Sequence, residues 1–380
     1  MATEVTKRES TYRFLMRVSQ AAAILSACVL ALIFSSCARF IRPPEVPPEA
    51  AVWVADSFMG DYEGSYVLDT GDTGPIVAQV IALGNGQYRA NLMPEFDRRY
   101  SSVPVVEGQR SGTAVRFSGE IDVSNWGGFG FVAIPGQIEG ETFAGSFTGD
   151  AVGTFELQKV ERLSPTLGKE QPPEAVVLFD GTNLDEWVHP VRPRGETGGA
   201  YQTKPAGWKL IDGAMEVVPR SGDIVTKKKF TDFELHVEFR TPFMPAARGQ
   251  GRGNSGVYLQ GRYEVQVLGS YGLEGQDTEC GGIYKVSRPR VNMCAPPLQW
   301  QTYDITFRAP RFDEDGNKTG NVRLTVLHNG VKIHDNIEIP EPTGAARDRV
   351  GDDVSQPGGI SLQEHGHRVQ YRNIWLVESP

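Results

Sequence analysis

The chain has 380 residues, with 38 Lys and Arg against 47 Asp and Glu, a formal charge of −9. That length can bury the cores of two or three domains, and the acidic balance excludes nucleic acid and anionic lipid headgroups as natural partners.

The first element is a targeting segment. Lys7, Arg8, Arg13 and Arg17 precede the apolar run AAAILSACVLALIF at 21–34, which is followed by SSC. Residues 1–36 therefore read as a bacterial lipoprotein signal with Cys37 as the acylated residue. The run of 14 residues is short of the roughly 20 that a membrane-spanning helix needs. Cleavage leaves 34 basic against 45 acidic residues, a net charge of −11. The expected location is the cell envelope, most simply the outer membrane, with the protein lipid-anchored and facing the periplasm or the surface.

Residues 37–55 are rich in proline (RPPEVPPEA) and read as an extended tether. From 56 to 160 short runs such as PIVAQVIAL, GTAVRFSGEI and GTFELQKV alternate with Gly, Asp and Asn, which predicts a small all-β domain. Its aromatics, Trp126, Phe129 and Phe131 among them, suit core packing first and a sugar-stacking platform second. A linker follows at 161–175.

From 176 to 380 the signals are again β. GWKLIDGAMEVV carries an Asp-Gly turn, FELHVEFRT alternates apolar and polar residues, and VRLTVLHNGVKIH sets Asn329-Gly330 between two strands. About a dozen strands without intervening helices predict a two-sheet, jelly-roll sandwich. The fold class is all-β throughout.

Within that domain Gly251, Gly253 and Gly256 match GxGxxG, but a strand follows them where a dinucleotide site needs a helix. The stretch MPAARGQGRG reads instead as a mobile loop leading into the sheet. The strand RYEVQVL offers Glu264 and then Gln266, so it lacks the two carboxylates that a standard sandwich glycosidase presents from one strand. What remains is a polar face: Tyr258 and Gln260 on one arm of a hairpin, Glu264 and Gln266 on the other, and Asn254 at its entrance. Amides and a carboxylate beside Tyr rings are groups that orient a sugar, although a solvated outer face shows the same alternation. His365 and His367, with Arg372 nearby, add proton chemistry and an oxyanion partner. In an oxidising compartment Cys280 and Cys294 are expected to form a disulfide, because no further ligand completes a metal site.

The motifs LFDGTNLDEW, GNSGVYLQGRYEVQVLGSYG, GGIYK, WQTYDITFRAPRFD, LHNGV and ISLQEHGHRVQYRNIWL, in that order, resemble the 3-keto-disaccharide hydrolase family, over about 200 residues at 176–380. The resemblance implies a concanavalin A-like lectin/glucanase sandwich in an exported lipoprotein. It also implies chemistry on 3-keto-glycosides. A ketone at C3 acidifies the C2 proton, a base removes it, the C1 aglycone leaves by elimination, and water adds to the enone. The resulting assignment has His365 or Glu264 as base, Arg372 and Gln266 near the C3 carbonyl, and Asn254 and Lys285 as sugar or enolate donors. A divalent metal held by Glu264 and His365 could take the enolate role instead. A separate oxidoreductase would supply the ketone. Where many relatives carry Asp after the EVQVL strand, this chain has Gly269. The reading of the other class is a carbohydrate-binding envelope lipoprotein without catalysis.

Overall fold

A computed structural model describes residues 53–124, 130–191, 202–343 and 353–379. The signal segment, Cys37, most of the tether, Trp126 and Phe129 lie outside these residues. The architecture is all-β: among the described residues there is no α-helix, and a short 3-10 turn lies at Gly249–Gly251.

Eight strands, from Gly60–Leu68 to Gly153–Val160, close into an antiparallel barrel, each bonded to the next and the last to the first. Alternation places Tyr62, Val80, Leu92, Val106, Ile134, Phe143 and Leu157 in its interior. Phe131 points outward and is 56% exposed.

The second body is a sandwich. One sheet runs, in order, Gln202–Pro205, Trp187–Val191, Ile224–Thr226, Ser361–Leu362, Ser255–Leu259 and Tyr263–Val267. The other runs Lys209–Ile211, Ala214–Glu216, Gln370–Glu378, Phe233–Arg240, Gln301–Arg308, Val322–His328 and Val331–Ile339, with Val176–Phe179 also paired to Gln370–Glu378. Val257, Leu259, Val265 and Val267 from the first sheet meet Val237, Phe239, Ile305 and Tyr371 from the second in one apolar core.

Turn chemistry fixes the hairpins. Asp212-Gly213 and Asn329-Gly330 both lie at positive φ in two-residue connections, as their sequence predicts. At the tip of the hairpin joining Ser255–Leu259 to Tyr263–Val267, Gln260 and Gly261 have φ of 53° and 67°.

Residues 161–175, a linker by composition, lie against the outer face of the larger sheet. Thr166 Oγ1 donates to Asp304 at 2.6 Å, the Gly168 amide donates to Glu238 at 2.6 Å, and Asn373 donates to the Lys169 carbonyl at 3.0 Å.

The expected disulfide is absent: Cys280 and Cys294 are free thiols. Both enter the sandwich core as small apolar groups. There the Cys280 Sγ lies 3.2 Å from Tyr303 Oη and the Cys294 Sγ lies 3.5 Å from the Leu268 carbonyl oxygen.

Candidate active site

The site lies on the outer face of the smaller sheet. Because Val257, Val265 and Val267 point into the core, their neighbours Gly256, Tyr258, Glu264 and Gln266 point away from it. Gly256 sits opposite Gln266 and Tyr258 opposite Glu264. These side chains are outward yet covered, with Glu264 only 3% exposed and Tyr258 and Gln266 1%. A plain solvated face would leave them wet, so a cover of loops has been built over polar groups.

One cover comes from residues 281–284, which pair along the free edge of Tyr263–Val267. Gln266 and Gly281 or Gly282 exchange backbone bonds of 2.9 and 3.0 Å, and the Tyr284 amide donates to the Glu264 carbonyl at 3.2 Å. Tyr284 was not anticipated from sequence. Burial pushes its hydroxyl pKa up, and the charges of Glu264 and Asp277 push it further, so its phenol stays protonated beside the carboxylate. Lys285 follows at the exposed rim, with φ of 58° and its ammonium 5.3 Å from the Tyr284 ring centre.

The floor is a chain of amides around one carboxylate. Gln266 fits its neighbours with its nitrogen toward Glu264, donating to the carboxylate at 2.8 Å and to the Ser255 carbonyl at 3.1 Å. Gln250, from the Gly-rich loop, accepts from Asn254 Nδ2 at 3.1 Å. The Glu264 carboxylate lies over Gly256, where an added Cβ would be 2.5 Å from its Oε1. Sequence gave no sign of Gln250 or of this use of Gly256.

The histidines form a wall beside that floor. The Asn254 amide donates to His367 Nδ1 at 3.2 Å, and the His365 ring lies parallel to His367 with centres 6.3 Å apart. His367 is buried and His365 exposed. Gln363, on the same segment, donates to the Tyr258 hydroxyl at 3.1 Å.

Two expected members are elsewhere. Gln260 is in the hairpin tip, where its amide donates to the Phe230 carbonyl at 2.9 Å and holds a neighbouring loop. The positive-φ turn takes it off the strand, so it cannot share the face of Tyr258. Arg372 is on the other sheet. Between Leu362 and Gln370 the chain crosses the sandwich, and alternation then turns Tyr371 into the core and Arg372 to the far outer face. Its Nε donates to Glu238 at 2.6 Å and its guanidinium lies 4.2 Å from the Trp300 ring centre.

The metal expectation named Glu264 and His365 as ligands. Among the described residues no three His, Cys, Asp or Glu side chains come together as a ligand group, so the donor set does not fit a protein-held cation. Gly269 borders a cleft of about 300 Å³ between barrel and sandwich, in which Arg252 binds Glu279 with two contacts of 2.9 Å. That carboxylate is already committed to Arg252.

The profile of the 3-keto-alpha-glucoside-1,2-lyase-like domain family matches residues 174–377. The chain belongs to this family. Membership agrees with the resemblance read from the motifs and supports action on glycosides. Among solved structures, a protein from Parabacteroides distasonis ATCC 8503 provisionally described as a glycosyl hydrolase is 38% identical, covering 55% of this chain and 85% of its own, with a TM-score of 0.46. A second protein of that organism with the same description is 18% identical, covering 54% and 94%, with a TM-score of 0.36. No curated protein matches the chain at a significant level.

Proposed function

We propose that this member of the lyase-like family cleaves 3-keto-glycosides by removing the C2 proton and expelling the C1 aglycone. The observation that carries the reading is the composition of the floor. Its outward positions are Gly256, Tyr258, Glu264 and Gln266, one carboxylate among amides, with an imidazole wall alongside. A two-carboxylate displacement has no second carboxylate on that floor. An elimination needs only a base, donors for the enolate oxygen and a proton for the leaving group.

The roles follow from position. Glu264, covered and held by the Gln266 amide, takes the C2 proton. The electron pair moves to the C3 oxygen, where the Lys285 ammonium is the donor for the enolate, while the Gln266 amide stays on the Glu264 carboxylate. Collapse of the enolate forms the C1–C2 double bond and breaks the bond from C1 to the aglycone oxygen. His365, exposed at the rim where that group departs, gives it a proton. Water adding at C1 completes net hydrolysis. Tyr284, half-buried, presents a flat surface to the ring, and Lys285 closes the rim.

The signal read in residues 1–36 supports a lipid-anchored envelope enzyme, supplied with its ketone by a separate oxidoreductase. The test compares a 3-keto-glucoside with its unoxidised parent. Release of aglycone from the ketone alone, reduced by about 10²-fold or more in Glu264→Gln, supports the reading. Binding of both sugars with cleavage of neither would leave a carbohydrate-binding protein.

A further inference from the structure

Residues 242–253, PFMPAARGQGRG, join strand Phe233–Arg240 to strand Ser255–Leu259 and touch both bodies of the molecule. On the barrel side Phe243 packs against the barrel's apolar core. Arg248 Nη2 donates to the Leu83 carbonyl at 3.1 Å, while its Nη1 donates to the carbonyls of Pro245 at 2.7 Å and Ala247 at 2.8 Å. Ala246 lies beside Gly84, 3.4 Å from where a Cβ would stand. On the sandwich side Gln250 accepts from Asn254 through its backbone and side-chain oxygens at 3.0 and 3.1 Å, and its Nε2 donates to the Thr278 carbonyl at 2.9 Å.

We propose that the barrel is a positioning element of the active site: it fixes this strap, and the strap sets Gln250 as a further site residue that orients Asn254. The inference rests on the placement of the site given above. A strap of this composition has one short 3-10 turn of its own, and three of its residues are glycines that lose the most freedom on ordering. Its conformation is therefore set by what it touches, and on one side that is the barrel. Side chains that frame a reacting group must be placed to well within an ångström. A strap released from Leu83 would carry Gln250, and with it the Asn254 side chain, out of that tolerance.

Arg248 touches neither the carboxylate nor the histidines, which makes it the residue to change. Arg248→Ala should raise hydrogen exchange in 249–256, including the Asn254 amide that donates to His367, and lower kcat about tenfold with a smaller change in KM. Arg248→Lys, which keeps a donor for the carbonyls, should recover part of both losses. In Arg248→Ala with Gln250→Ala, kcat should fall no further than in Gln250→Ala alone, because both act through the same amides. Exchange unchanged in Arg248→Ala, at unchanged melting temperature, would overturn the proposal. Raised exchange supports the positioning even where the unsubstituted protein turns over no 3-keto-glycoside, a result that counts against the function alone.

Discussion

Glu264 has its place because position 256 has no side chain. The strand pairing brings Gly256 and Tyr258 opposite Gln266 and Glu264, and the carboxylate lies in the space that a Cβ at 256 would fill. In Gly256→Ala the methyl would sit 2.5 Å from Oε1, so the carboxylate must move. The expected result is a fall in kcat of about tenfold or more with little change in melting temperature, since the core side of the strand is untouched. Steady-state kinetics with thermal unfolding checks it. At the same scale, alternation along the strand made Glu264, Gln266 and Tyr258 legible from sequence. Their cover was not legible, because Tyr284 and Gln250 reach the floor from segments whose residue types signal only loop. Arg372 shows the opposite failure. Closeness in sequence to His365 suggested one site, yet the chain crosses between sheets in those few residues.

At the scale of elements, the two-residue turns were readable because Asp-Gly and Asn-Gly favour positive φ. The tip at Gln260 was not, since Gln carries no such preference and only the hairpin register imposes it. The packing of segment 161–175 was not readable for a related reason. Proline, lysine and glutamate suggest a spacer, but its contacts are made to charges buried beneath it. Burial alone would push His236 down, but Asp304 at 2.8 Å and Glu238 at 3.5 Å hold its pKa above the ordinary 6.5. Burial pushes Glu238 up, but donors from His236, Asn373, Arg372 and the Gly168 amide bring it down to about 2. A raised histidine stabilises the fold fully below its unfolded value and loses this as pH rises through its folded value. A lowered carboxylate stabilises it above its unfolded value and loses this as pH falls toward its folded one. The two windows overlap between the ordinary values of 4.5 and 6.5. Protection of the amides in 163–170, corrected for intrinsic exchange, should be greatest there and decline on both sides. A flat profile from pH 4 to 9 would show that the buried charges do not hold the segment.

For the whole molecule, composition announced two β bodies and gave no reason for them to act together. The seam between them is polar and specific. Tyr271 donates to the buried Asp61 at 2.7 Å, and Asn91 donates to the Gly272 carbonyl at 2.6 Å. Arg99 donates to the carbonyls of Gly275, Pro289 and Arg290 and to Glu274. Burial raises the Asp61 pKa against the pull of Tyr271 and Arg162, so losing the phenol leaves a poorly served carboxyl in the seam. Tyr271→Phe should cost about 1–3 kcal/mol in chemical denaturation, and a smaller loss would mean that the seam relaxes to supply Asp61 another donor. Such a seam is what allows a barrel to hold a strap over a site on its neighbour.

Removal of the C2 proton as the first step can be measured with a 3-keto-glucoside carrying deuterium at C2. Aglycone release should be slowed about threefold or more by the label, with the deuterium passing to solvent and no cleavage of the unoxidised parent. Release at the same rate with the deuterium retained at C2, or cleavage of the parent glucoside, would contradict it.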